Sequence, residues 1–65
     1  MEELIALLEY LTNHNTDHAL EVEELAIKAD GFGKGNVKDL LMEGVDLMNE
    51  SNERLKKALD ILKED

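Results

Sequence analysis

His14 and His18 are the only imidazoles in the chain, and they stand four residues apart. On a helix that spacing puts both rings on one face, close enough to chelate a single ion. No cysteine occurs anywhere in the sequence. Nitrogen donors without thiolate suit Zn, Ni, Co or Cu and do not suit the hard ions that need oxygen cages. Carboxylates that could complete a shell, Asp17, Glu21 and Glu50, lie within a turn or across a hairpin.

Other chemistry is poorly supplied. A di-iron carboxylate bundle uses Glu three residues before its His; Asn15 precedes His18 by three and Leu11 precedes His14. Without cysteine, the hydroxyls nearest an imidazole are Thr12 and Thr16, and no oxyanion donors accompany them. The run Gly31-Phe32-Gly33-Lys34-Gly35 has the glycines of a phosphate loop. Such loops follow a strand, however, and this one links two helical patterns. As a calcium loop from Asp30 it places Phe32 and Lys34 where oxygen ligands are required. No enzymatic activity is expected.

The elements that must position the histidines are written in the hydrophobic spacing. Met1, Leu4, Leu8, Leu11, Asn15, His18, Val22, Leu25 and Ala29 alternate steps of three and four. Val37, Leu41, Gly44, Met48, Ser51, Leu55, Ala58 and Leu62 do the same. Such an alternation is the seam of packed helices. It predicts an all-α antiparallel two-helix hairpin, with helix one over about 2–29, a glycine-rich loop over 30–36 and helix two over about 37–63. Asn36 is the expected N-cap of the second helix. Reversal about Gly33 pairs residues whose numbers sum to about 66, so Leu4 meets Leu62, Leu11 meets Leu55, Asn15 meets Ser51 and His18 meets Met48. Gly44, facing Val22, would let the helices approach closely.

The seam carries one polar layer. Asn15, His18 and Ser51 interrupt it, with His14 and Asn52 beside them. A buried amide or imidazole without a partner costs about 1–3 kcal/mol, so these groups require hydrogen bonds, water or a ligand. Two roles compete. As a structural device the layer fixes register, because misalignment would set Asn15 against leucine. As a binding site it holds a transition metal (Zn, Ni or Co) or a small ligand on His14 and His18. Titration of His18 within the layer would add a pH response.

Composition sets the wider limits. Sixty-five residues make a single domain, 1–65, with a marginal core, and oligomerisation is the reinforcement left open without disulfides. Apolar flanks (Ile5, Ala19 and Ala26 on helix one; Leu40, Leu47 and Ile61 on helix two) widen the stripe beyond a two-stranded seam. A homodimeric four-helix bundle is therefore expected, with a different protein partner as the competitor. Sixteen acidic against seven basic residues give a net charge of −9, which disfavours nucleic acid and anionic membrane surfaces. With no long apolar run and no signal-peptide start, the expected setting is the cytoplasm.

The segment His14-Asn15-Thr16-Asp17-His18-Ala19, together with Glu50-Ser51-Asn52, resembles a group of short, uncharacterised archaeal and bacterial helical-hairpin proteins. They carry H-N-x-x-H-A in the first helix and Glu-x-Asn in the second. The resemblance implies the hairpin and marks His14, Asn15, His18 and Asn52, without implying an activity. Members have a further His one turn earlier. Tyr10 stands there in this chain, so the resemblance does not extend to a three-His ligand set.

Overall fold

The computed structural model describes residues 1–64; Asp65, the end of the expected domain, lies outside them. Helix α1 spans Glu2–Gly31 and α2 spans Gly35–Glu64. The chain is an all-α helical hairpin. Glu2 and Glu3 sit at the positive end of the α1 dipole, and Lys28 and Lys63 lie in the last turns of their helices.

The turn is tighter than the glycine count suggests. Gly33 has φ +74°, the left-handed conformation. Its N–H donates to the Asp30 carbonyl at 3.0 Å, and the Lys34 N–H donates to the Ala29 carbonyl at 2.9 Å. These two bonds form a Schellman motif, which satisfies the last carbonyls of α1 within two residues. The Lys34 carbonyl then accepts from the Lys38 N–H at 3.0 Å and opens α2. Asn36, the expected N-cap, therefore lies inside the first turn of α2. Phe32 is the C-cap residue of α1, and it is 81% exposed. A Cβ built on Gly33 would meet no atom within 4 Å, so only backbone strain opposes a side chain there. Gly33→Ala is expected to destabilise by about 1–2 kcal/mol, read as a lower denaturant midpoint with an unchanged slope.

The buried residues define the true seam. They are Thr12, Ala19 and Ala26 on α1, and Val45, Asn52 and Leu59 on α2. Each set repeats every seven residues. Half-buried Ile5, Leu8, Asn15, Val22 and Ala29 complete the α1 stripe; Leu41, Met48, Leu55 and Leu62 complete that of α2. Half of the expected seam is thus in place. The other half is rotated outwards: Leu4, Leu11, His18, Leu25, Val37, Ser51 and Ala58 are exposed, and their C-terminal neighbours Ile5, Thr12, Ala19, Ala26, Lys38, Asn52 and Leu59 turn inward. On α1 the rotation replaces leucine and histidine at the contact by Thr12, Ala19 and Ala26, which let the helix axes close, while on α2 the larger Val45, Asn52 and Leu59 turn in. The close approach assigned to Gly44 is absent, since a Cβ there would touch nothing within 4 Å.

One edge of the hairpin is closed by an ion pair, Lys63 Nζ to Glu9 Oε1 at 2.7 Å. The hydrogen bond to the Glu9 carboxylate, and then its charge, raise Lys63 above the ordinary lysine value. A raised lysine contributes stability at every pH below its unfolded value and loses it only as pH climbs through the raised one. Lys63→Ala is therefore expected to change stability equally at about pH 5 and about pH 8, by an amount that shrinks as salt is added. A pH-dependent difference across that window, followed by thermal melts, would contradict the assignment.

A single hairpin leaves much surface uncovered. Its Cα extents are 50 × 15 × 10 Å and its radius of gyration is 15.0 Å, against about 11 Å for a compact chain of this length. The accessible surface is 5063 Å², against about 4200 Å² for a compact monomer of this mass, an excess of about 900 Å². No helix among the described residues is long and apolar enough to cross a membrane.

Candidate site: a histidine pair on an open apolar face

Each helix carries a second stripe beside its seam. On α1 it runs Leu4, Leu7, Leu11, His14, His18, Glu21, Leu25 and Lys28, again in steps of three and four. On α2 it runs Val37, Leu40, Gly44, Leu47, Ser51, Arg54, Ala58 and Ile61. Both stripes occupy the same heptad positions, and antiparallel pairing sets equivalent flanks on one side of the hairpin. The large apolar members are exposed, with Leu40 at 69% and Leu47 at 62%. At mid-length this face has a cleft of about 310 Å³ lined by Asn15, Leu47, Met48 and Ser51. The opposite side has different chemistry: a groove of about 400 Å³ lined by charged residues including Glu9, Lys56, Asp60 and Lys63.

The histidines lie in the middle of the apolar stripe. His14 Nε2 and His18 Nε2 are 2.8 Å apart, and His18 Nδ1 lies 3.2 Å from Glu21 Oε2. A carboxylate accepts only, so the Nδ1 of His18 carries the proton it donates to Glu21. In the neutral ring Nε2 of His18 is then an acceptor, and His14 Nε2–H donates to it. The order His14 to His18 to Glu21 fixes both tautomers. Tyr10 stacks on His14, with ring centroids 5.4 Å apart and planes 13° from parallel. Two neighbours, Tyr10 one turn before the pair and Glu21 one turn after it, thus hold the pair in one arrangement. Glu50, a possible shell carboxylate, instead pairs with Arg54 at 3.1 Å. Among the described residues no group of three or more His, Cys, Asp or Glu side chains is placed to hold a metal.

The polar layer of the seam is separate from this pair. Asn52 is only 5% exposed. Its Nδ2 donates to Thr16 Oγ1 at 3.0 Å, Thr16 Oγ1 donates to the Thr12 carbonyl at 3.1 Å, and Thr12 Oγ1 donates to the Glu9 carbonyl at 2.9 Å. Asn52 Oδ1 is buried without a hydrogen-bond partner. Asn15 is half-buried, whereas His14, His18 and Ser51 are exposed. The five sequence-derived residues therefore divide: Asn52 belongs to the internal layer, Asn15 and Ser51 line the cleft, and the two histidines share the open face. His18 lies outside the hairpin's core, which removes the premise that its protonation loosens that core. Thr12, buried at a seam position, and Thr16 complete the layer. Their signal in the sequence was the i, i+4 threonine pair, Thr12 one turn before Asn15 and Thr16 directly after it.

No curated protein and no solved structure matches the chain. A family model described as "Domain of unknown function (DUF8180)" matches residues 4–62. That match takes in both helices, the turn, the histidine pair and the Thr–Asn layer, and the chain belongs to this family.

Proposed function

We propose that this chain is a self-associating interaction or scaffold module, without enzymatic activity, whose two copies close into a homodimeric four-helix bundle. The Thr12–Thr16–Asn52 layer holds each hairpin in register, and the face of Leu7, Leu11, Leu40 and Leu47 is the dimer interface. The observation that carries this reading is the apolar face together with the excess of about 900 Å² of exposed surface, close to the roughly 800 Å² that each partner buries in a stable complex.

Charge favours a second copy as the occupant. The sixteen positions from Leu4 to Lys28 and Val37 to Ile61 on these stripes include Glu21, Lys28 and Arg54 as their only charges. The face is thus +1 while the remainder of the chain carries −10, from a total of −9. Two copies meet at their least acidic surfaces and keep their like charges apart. Both stripes run the length of equal 30-residue helices, which suits a two-fold, self-complementary contact. A net charge of −9 disfavours nucleic acid and anionic membranes as the occupant.

Association of this kind makes stability depend on concentration. The circular-dichroism melting midpoint should rise steadily as protein concentration is raised about a hundredfold. A midpoint that does not move over that range would exclude the dimer.

A further inference from the structure

Taking the self-association above as its basis, we propose that the closed bundle holds one divalent transition-metal ion, of the class Zn, Ni or Co, on the Nε2 atoms of His14 and His18 from both copies. Within one chain the two Nε2 atoms already converge to 2.8 Å. Two nitrogens on a tetrahedral zinc, at about 2.0–2.1 Å from the ion, stand about 3.3 Å apart. The rings need open by only about 0.5 Å to exchange the shared proton for an ion. The proton on His14 Nε2 then resides on Nδ1, and both rings stay neutral.

The surroundings are those of a ligand pair. Glu21 accepts from His18 Nδ1 at 3.2 Å, which leaves the Nε2 lone pair directed towards His14 Nε2, and a carboxylate orients a metal-bound imidazole in the same way. Tyr10 stacking sets the plane of His14. Leu11 and Leu25, at the same heptad position as His18, extend the apolar stripe on either side.

One chain supplies two donors and no third. The second copy supplies the rest. His14 and His18 bracket the midpoint of Glu2–Gly31, so a two-fold axis crossing α1 at its centre brings the pair against its own image. Four neutral imidazoles match the nitrogen preference of borderline ions. The ion's two positive charges fall between two strongly acidic chains.

The test is calorimetric titration of Zn and Co into metal-stripped protein, with sedimentation of the same metal-free sample. The proposal expects a dimer, one ion per two chains, and the visible spectrum of tetrahedral Co(II). His14→Leu with His18→Leu should abolish binding and leave a metal-free dimer, since leucine continues the stripe. Glu21→Gln should weaken binding by about tenfold or more without altering the dimer, as expected of a positioning residue. A metal-free dimer that takes up no ion, or whose binding survives the double substitution, would overturn the metal site alone. A monomer that binds no ion, or binds one per chain, would overturn the shared site and the self-association together.

Discussion

Replacing Leu47 by glutamate should weaken self-association by about a hundredfold or more while leaving the helical spectrum of the hairpin unchanged. In the isolated hairpin Leu47 is 62% exposed, and a substitution at such a surface position shifts stability by only about 0.5 kcal/mol either way. In the bundle the residue is covered, and a symmetric interface loses it twice. Each loss removes about 1.5–3 kcal/mol of apolar burial, and about 1.4 kcal/mol is a factor of ten in affinity. Leu20 is the matched control: it is 55% exposed but faces away from the stripe by helical spacing. Leu20→Glu should associate like the parent protein. Equilibrium sedimentation of both variants decides the assignment, and an intact Leu47→Glu dimer or a dissociated Leu20→Glu would refute it.

Asn52→Leu should act in the opposite direction and raise stability by about 1–2 kcal/mol. The amide is almost fully buried, and only its Nδ2 is bonded, to Thr16. An orphaned buried carbonyl costs about 1–3 kcal/mol, against about 1 kcal/mol gained from one neutral hydrogen bond. Thr16 keeps its own bond to the Thr12 carbonyl when the amide is removed. For a chain of this size each kcal/mol is about 4–8 °C in melting temperature. The expected cost is uniqueness, because an all-apolar seam no longer distinguishes one helix register from its neighbours. Calorimetry should show a higher, broader transition, and sedimentation more than one species. A lower melting temperature would instead mean that Oδ1 has a partner in the assembled protein.

The hairpin was legible in the sequence because its signal is redundant. Two stripes in steps of three and four flank one cluster of glycines, and Gly33 can occupy the left-handed position that the turn requires. The choice of seam was not legible to the same degree. Three stripes overlap on each helix, and Leu4, Leu11 and Leu25 outweigh Ile5, Thr12, Ala19 and Ala26 in hydrophobicity. Helix pairing is decided as much by size, so on α1 the small residues took the close contact and the leucines were left outside, while α2 turned its larger Val45, Asn52 and Leu59 inward. The difference is a rotation of roughly 50°, half the angular step of a helix. It moved His18 from the expected core to the open face and drew Asn52 fully in. The i, i+4 histidine pair was visible from spacing alone. Its hydrogen-bonded order through Glu21, and its separation from the Thr–Asn layer, depend on side-chain geometry that spacing does not carry. Asn36 failed as the N-cap for a similar reason: the Schellman turn closes α1 so economically that α2 already begins at Gly35.

Metal-free sedimentation equilibrium tests the central claim most directly, because every functional inference here depends on what covers the apolar face. At micromolar concentration and moderate salt, the protein should sediment as a single species of twice the 7.3 kDa chain mass. A species of 7.3 kDa that persists across the same concentrations would contradict the four-helix bundle and leave the face to a different partner.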